Sequence, residues 1–384
     1  MSNANRPFRL APLTSALLCV ALAACGGGGG DSPASTTNPG GTTNPGGTTN
    51  PGGTTNPGGT TNPGGTTNPG TTNPQPDLAT RLNAPTGVAR DAAGNLYVVD
   101  TGNFTIRKIT PTTPAVVSTI AGTAGIKGAG APTDDGVDAA AKFVNPTAIA
   151  VHQTDATAPL TLYVADGDSV RKITATTVNG KVQMQVQTII RDASKLTGAT
   201  GIAVDAAQNV YVADAAGKRV IFGTPAGDID SLATGLDGPQ GLALDAATNT
   251  LYITDVAAAG GATVIKKLVL PTTLPPAAPA TVTTVAVTGT AQPFTNGAGI
   301  AVNAGGLVLV EPTRLITVSA AGVSAVVPIA AGKVTSLSGV VFDGTTGFDV
   351  TDSGNHTVSK VTTAGALTTL AGKAGTAGAV DSAP

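Results

Sequence analysis

The feature that most restricts what this protein can fold into is a short unit that recurs six times. Each copy opens with a small-apolar-small triplet, passes through a polar turn, and ends in an apolar run closed by an acid. The first three copies run from Gly87-Val88-Ala89 to Leu96-Tyr97-Val98-Val99-Asp100, from Ala148-Ile149-Ala150 to Leu162-Tyr163-Val164-Ala165-Asp166, and from Gly201-Ile202-Ala203 to Val210-Tyr211-Val212-Ala213-Asp214. The second three run from Gly241-Leu242-Ala243 to Leu251-Tyr252-Ile253-Thr254-Asp255, from Gly299-Ile300-Ala301 to Leu307-Val308-Leu309-Val310-Glu311, and from Gly339-Val340-Val341 to Phe348-Asp349-Val350-Thr351-Asp352. All four tyrosines share one repeat position, and the single glutamate takes the acidic one. The runs lack helical periodicity and are bounded by Gly, Asn and Asp, so they read as strands. One such unit cannot bury its own apolar faces, and the copies must therefore stack on each other.

These residues resemble the NHL repeat, including its final loop, which is matched by Asp352-Ser353-Gly354-Asn355-His356 and Asp100-Thr101-Gly102-Asn103-Phe104. The resemblance spans 82–372, and the Asn-His loop is lost from the fourth and fifth units. It implies an all-β fold, a six-bladed β-propeller of four-stranded antiparallel blades. Successive acids lie 66, 48, 41, 56 and 41 residues apart, so a blade takes about 40 residues and the surplus is loop. Small residues in the innermost strand suit crowding at an axis, and Pro85, Pro146 and Pro239 stop the outer strand before it. The acids Asp100, Asp166, Asp214, Asp255, Glu311 and Asp352 are expected to be structural, accepting backbone N–H groups of the following turn. The segment around Gly122 to Phe143 is echoed in two pieces, Gly372 to the C-terminus and Asp77 to Leu82, so these ends are expected to meet as one broken inter-blade loop. No exchanged strand is expected.

Ahead of the repeats stand a basic start (Arg6, Arg9), an apolar stretch from Ala11 to Leu22, and small residues before Cys25. This is the layout of a targeting segment, and Leu22-Ala23-Ala24-Cys25 resembles the lipobox of bacterial lipoproteins. The resemblance implies cleavage before Cys25 and lipidation of its thiol, with residues 1–24 as the signal peptide. Cys25 would then be the sole cysteine of the mature protein. Acyl groups contribute about 0.8 kcal/mol per buried methylene, so two or three give a stable anchor. Five copies of Thr-Thr-Asn-Pro-Gly-Gly from Thr36 to Gly65 follow. They offer no apolar face, so 25–76 reads as a disordered tether, and 77–384 as the propeller. Gly26 after the anchor resembles outer-membrane sorting, with the periplasmic and surface faces both open.

Charged residues are 11% of the sequence and the net charge is −2, so no basic field for nucleic acid exists. No nucleic-acid partner and no cofactor is expected, and the domain reads as a monomer. On the face that carries the inter-blade loops, the longest acidic insertion holds Asp134, Asp135 and Asp138, the first candidate for a binding surface on a rigid scaffold. The loop 256–262 shares that face. Asp134-Asp135-Gly136 lacks the alternating spacing and terminal Glu of a calcium loop. His152 and His356 are the only histidines, too few for a three-histidine zinc centre. Lactonase-type propellers, which resemble this fold, use an axial metal held by Glu, Asn and Asp, and Glu311 is the only Glu available. The favoured reading is a membrane-tethered, non-catalytic binding module for a protein, peptide or glycan. The alternative is a metal-dependent propeller hydrolase, lactonase or lyase. Cys25→Ala is expected to abolish metabolic labelling by a radioactive fatty acid and to move the protein from the membrane to the soluble fraction.

Overall fold

The computed structural model describes residues 80–382, except 131, 258–260, 304 and 346. Cys25, the targeting segment and the tether lie outside the described residues, as does the middle of the loop 256–262. Six sheets, each running from an innermost to an outer strand, are built from successive stretches of the sequence, and their main strands pair antiparallel; a short outer pair in the fifth, Thr288–Gly289 with Val323–Ser324, is parallel. The innermost strands are Pro85–Arg90, Pro146–His152, Ala199–Val204, Pro239–Asp245, Ile300–Asn303 and Leu337–Phe342. The second strands end on the six acids or, in the fourth blade, one residue beyond. The six-bladed all-β propeller expected from the repeats is therefore the fold. Helical structure among the described residues is three single 3-10 turns.

The second strands are almost entirely buried and mostly apolar ahead of their terminal acids, because both of their faces are covered. Side chains alternate across a strand, so Tyr97 and Val99 join the second blade's Ile149, Leu162 and Val164, while Leu96 and Val98 join the sixth blade's Val358. The same division repeats around the ring and yields six apolar clusters, one at each junction between neighbouring blades. Each fully buried Val, Leu, Ile or Phe contributes on the order of 1.5–3 kcal/mol.

Neighbouring innermost strands come closest at the first residue of the triplet. A Cβ on Gly201 would lie 2.2 Å from the Gln240 carbonyl oxygen, on Gly241 2.4 Å from that of Ala298, and on Gly339 2.3 Å from that of Thr86. Alanine stands at the third position of the triplet in five of six copies, yet the crowding is tightest two residues earlier. Threonine hydroxyls stitch the same junctions. Thr86 Oγ1 donates to the Thr147 carbonyl at 2.7 Å, Thr147 Oγ1 to Ala199 at 3.0 Å, Thr200 Oγ1 to Pro239 at 2.8 Å and Thr254 Oγ1 to Ala298 at 2.9 Å. Thr351 Oγ1 donates to the Thr86 carbonyl and joins the sixth blade to the first.

The six acids collect the backbone as it enters each blade. Asp166 Oδ1 accepts the N–H groups of Val144 and Asn145 at 2.8 and 2.7 Å, and Asp255 Oδ1 those of Asp237 and Gly238 at 3.0 and 2.8 Å. Asp100, Asp214, Glu311 and Asp352 accept in the same way from Asn83, Thr197 with Gly198, Thr295, and Thr335 with Ser336. The following turn, where the sequence places the donors, adds one backbone N–H at Asp214 from Gly217 and one at Asp352 from Asn355. The larger share comes from the preceding loop because the first and second strands pair antiparallel, which brings the start of one beside the end of the other.

A cation from the third strand completes five of these clamps. Arg107, Arg171 and Lys266 reach from one position, and Arg219 and Arg314 from the position two residues earlier on the same face. Arg107 and Arg171 are buried completely or nearly so. In the sixth blade those positions hold Thr357 and Ser359, and Asp352 takes the side-chain amide of Asn355 at 2.9 Å instead.

The ring closes where the repeats suggest. Arg81 and Val380 form an antiparallel bridge, with N–H···O distances of 3.0 and 3.2 Å. The tail reproduces the unbroken insertion at the next junction. Asp381 pairs with Arg107 and accepts from the Thr119 N–H and hydroxyl, both at 3.1 Å. Asp135 pairs with Arg171 at 2.8 Å and accepts from the Thr188 N–H and hydroxyl at 3.0 and 2.7 Å. Ser382 donates its N–H to the Val117 carbonyl, where Gly136 pairs with Val186 in the second blade. All four strands of the first and sixth blades are contiguous in sequence, so no strand is exchanged.

Gly201→Ala is expected to cost about 1–3 kcal/mol through forced separation of the third and fourth blades, read as a lower urea midpoint. Gly305→Ala meets only Asn303 Oδ1, at 3.7 Å, and should stay within about 0.5 kcal/mol of the parent. Asp166→Ala leaves Arg171 buried without its inner carboxylate and should cost about 3–5 kcal/mol.

Candidate functional site

The loops between blades and the turns between second and third strands lie on one face, tied by backbone bonds such as Gly102 N–H to Asn83, Gly167 to Asn145, Ala215 to Gly198 and Ser353 to Ser336. At its centre the innermost strands enclose a funnel of about 300 Å³ built in three tiers. The outer tier is Thr86, Thr147, Thr200, Gln240, Ala298 and Ser338. Below it Gly87, Ala148, Gly201, Gly241, Gly299 and Gly339 bring backbone to the surface. The floor is Val88, Ile149, Ile202, Leu242, Ile300 and Val340. The tiers arise because three successive residues of each strand meet the axis at the same height in all six blades.

No ionisable residue lines this funnel. Glu311 is absent from it, since its carboxylate receives the Thr295 N–H at 2.6 Å and Arg314 Nε at 2.5 Å in the incoming loop. Among the described residues no three His, Cys, Asp or Glu residues converge as a metal site would require. The axis therefore has neutral hydrogen-bonding groups over an apolar floor, the make-up of a small binding pocket.

Beside the funnel and sharing Thr147 and Thr200 with it, a second hollow of about 500 Å³ lies between the second and third blades. Its walls include Ala129, Gly130, Asn145, Asp168, Arg191 and Thr197. The insertion 123–142 contributes Ala129 and Gly130 to it, while its three acids face elsewhere. Asp134, itself buried, accepts the Gly130 N–H at 2.7 Å, Asp135 serves Arg171 and Thr188, and Asp138 Oδ1 accepts the Met184 N–H at 2.7 Å. The structure thus does not bring these three carboxylates together at an open surface. His356 also has a structural partner, its Nδ1 accepting the Ala84 N–H at 2.9 Å across the closing junction. His152 Nε2 lies 3.3 Å from the Ala206 carbonyl.

The opposite mouth of the axis, about 350 Å³, is lined by aliphatic residues and Phe342, with Arg90 as its one charged residue. Here three of the four repeated tyrosines end in fixed partners. Tyr97 and Tyr211 donate to Asp91 and Asp205 at 3.1 and 2.8 Å, and Tyr163 to Gln208 at 3.0 Å. Burial first, and the Asp205 charge second, push the Tyr163 phenol up to about 12. The sixth blade carries Asp349 in the tyrosine position, paired with Arg90 of the first blade at 2.9 Å. Burial raises the Asp349 carboxyl, against the pull of Arg90 and Lys360. Burial acts likewise on Asp343, but the Lys360 ammonium at 2.8 Å and the N–H groups of Gly347 and Thr345 outweigh it and hold that carboxyl well below its ordinary value.

The family model for the NHL repeat matches residues 82–109, the first blade's leading strands. No curated protein matches the sequence. Among solved structures, the nidogen/laminin complex aligns at 17% identity, TM-score 0.50, over 71% of this protein and 91% of that one. A gluconolactonase from Xanthomonas campestris aligns at 16%, TM-score 0.49, over 72% and 85%. Virginiamycin B lyase from Staphylococcus aureus aligns at 12%, TM-score 0.46, over 75% and 84%. At such identities likeness speaks for the fold alone. The protein is a six-bladed β-propeller carrying an NHL repeat.

A carboxylate whose folded pKa is depressed stabilises the fold above its unfolded pKa, and that contribution fades as pH falls through the folded value. The stability difference between the parent and Asp343→Asn is therefore expected to be largest near neutrality and to shrink on acidification below about pH 4, measured by urea unfolding across that range.

Proposed function

We propose that this protein is a non-catalytic binding module that recognises a protein, peptide or glycan on its loop face. The observation that carries the reading is the tiered funnel: neutral donors and acceptors around an apolar floor, on a face whose loops are fixed by six carboxylate clamps. The six repeat acids are occupied as acceptors of backbone N–H groups. Rigid loops favour binding, since little conformational entropy is lost when a partner docks.

The module is held to a membrane by acylated Cys25, with 25–76 as its leash. A Gly-rich coil of about 50 residues has a mean end-to-end distance of order 40 Å, enough to let the face sample partners away from the bilayer. The lipobox resemblance and the repeated Thr-Thr-Asn-Pro-Gly-Gly support this arrangement, which places the protein in the cell envelope.

The full-length protein, screened against peptide and glycan arrays, should bind a defined subset. Ala298→Trp, which fills the outer tier from the fifth blade, should abolish that binding while leaving the free energy of urea unfolding within about 1 kcal/mol of the parent. Stoichiometric calcium or zinc in the purified protein together with turnover of a lactone would overturn the reading.

A further inference from the structure

Arg191 stands apart from the other arginines. Each of the others among the described residues has a hydrogen bond or ion pair, whereas the exposed Arg191 guanidinium has neither. Its place is nonetheless defined: a Cβ on Gly130 would lie 2.7 Å from Arg191 Nη2, so the guanidinium rests over a glycine of the insertion. Asp134 holds that glycine through its N–H at 2.7 Å, and Gly130 has φ +73°, a backbone state that L residues rarely adopt. The wall beneath the guanidinium is therefore fixed.

In the same hollow stand Asp168, in the two-residue turn Gly167-Asp168, and Asn145, immediately before the second blade's innermost strand. The Asp168 carboxylate and the Asn145 amide likewise have no hydrogen-bond partner, and Asp168 forms no ion pair with Arg191 although both line one concavity of about 500 Å³. A guanidinium presents a planar fork of donors that matches a carboxylate. The carboxylate and the amide that line the same hollow can accept N–H groups. Together they match a ligand that carries a carboxylate next to peptide N–H donors, and they match a neutral sugar poorly because the guanidinium would be left without an anion.

Resting on the binding-module reading above, we propose that the hollow between the second and third blades is a subsite for a peptide carboxylate. Arg191 takes the carboxylate, and Asp168 and Asn145 take the adjoining backbone N–H groups. Gly130, held by Asp134, acts as the wall that positions Arg191. The carboxylate is supplied either by the free C-terminus of a peptide or by an Asp or Glu within it.

The test is backbone amide chemical-shift mapping on the isotope-labelled full-length protein with three probes: acetyl-tetraalanine with a free C-terminal carboxylate, its C-terminal amide, and acetyl-Ala-Glu-Ala amide. The free acid or the glutamate peptide should saturate shifts at Gly130, Gly167 and Gly198, and the one that does identifies the source of the carboxylate. The tetraalanine amide should bind roughly tenfold more weakly or not at all. Arg191→Gln should lose the effect, Arg191→Lys should retain part of it, and Asp168→Asn should weaken it. Because Arg191 is exposed, these variants are expected to keep the parent's unperturbed spectrum elsewhere. Saturable shifts confined to funnel residues such as Gly87 and Gly299 would overturn the subsite and leave the binding module standing. Equal binding by Arg191→Gln, or by the amide, would also overturn it. No saturable shift anywhere on the loop face would overturn the subsite, while the array experiment separately decides the wider reading.

Discussion

A sheet whose two faces are both apolar has to be covered on both sides, and everything in this protein follows from meeting that requirement without helices. Covering one sheet with the next transfers the problem to the neighbour, and only a closed ring ends the series. The sixth cluster, in which Val358 and Ala371 meet Leu82, Val88 and Val98, is therefore as necessary as the other five. Closure also removes the need for a large single core. Small domains gain little from one sheet alone, and here each blade shares its core with two others.

The same ring places backbone where bulkier groups would not fit. Glycine at the start of five innermost triplets permits carbonyls of adjacent blades to come within contact distance, and threonine hydroxyls then bond across the gap. Loss of a hydroxyl costs little at a surface, but at these crowded junctions it would leave a carbonyl short of a donor. The funnel is consequently a by-product of closure that is already lined with polar atoms and floored with aliphatic ones.

Electrostatics is used inside the blades far more than on the surface. Each acid gathers the incoming loop, and in five blades a basic residue balances it from one of two third-strand positions spaced two apart, which the strand period puts on the same face. That substitution of position for position explains why the cation is hard to recognise in a linear repeat. The closing junction shows the same economy of parts: Asp381 near the C-terminus does for Arg107 what Asp135 does for Arg171 within the second blade's insertion. On the far face Asp349 replaces a tyrosine, and Arg90 from the next blade supplies the balancing charge.

How much of this is legible before any coordinates is set by the range of the interactions involved. The triplets, the tyrosine column and the acid column are short-range patterns, and they determine strands, blade number and the meeting of the two ends of the propeller, because alternation and turn chemistry act within a few residues. The carboxylates of Asp134, Asp135 and Asp138 look available in a polar insertion; only the fold brings Gly130, Arg171, Thr188 and Met184 to them. Arg191 carries no sequence signal of its own, since it ends an outer strand like other exposed residues, and its isolation from an anion is a property of its surroundings. Local pattern thus decided which elements this protein makes and how many, while burial and pairing between residues tens of positions apart, which depend on where the blades stand in space, decided which charges are occupied and which stand without a partner.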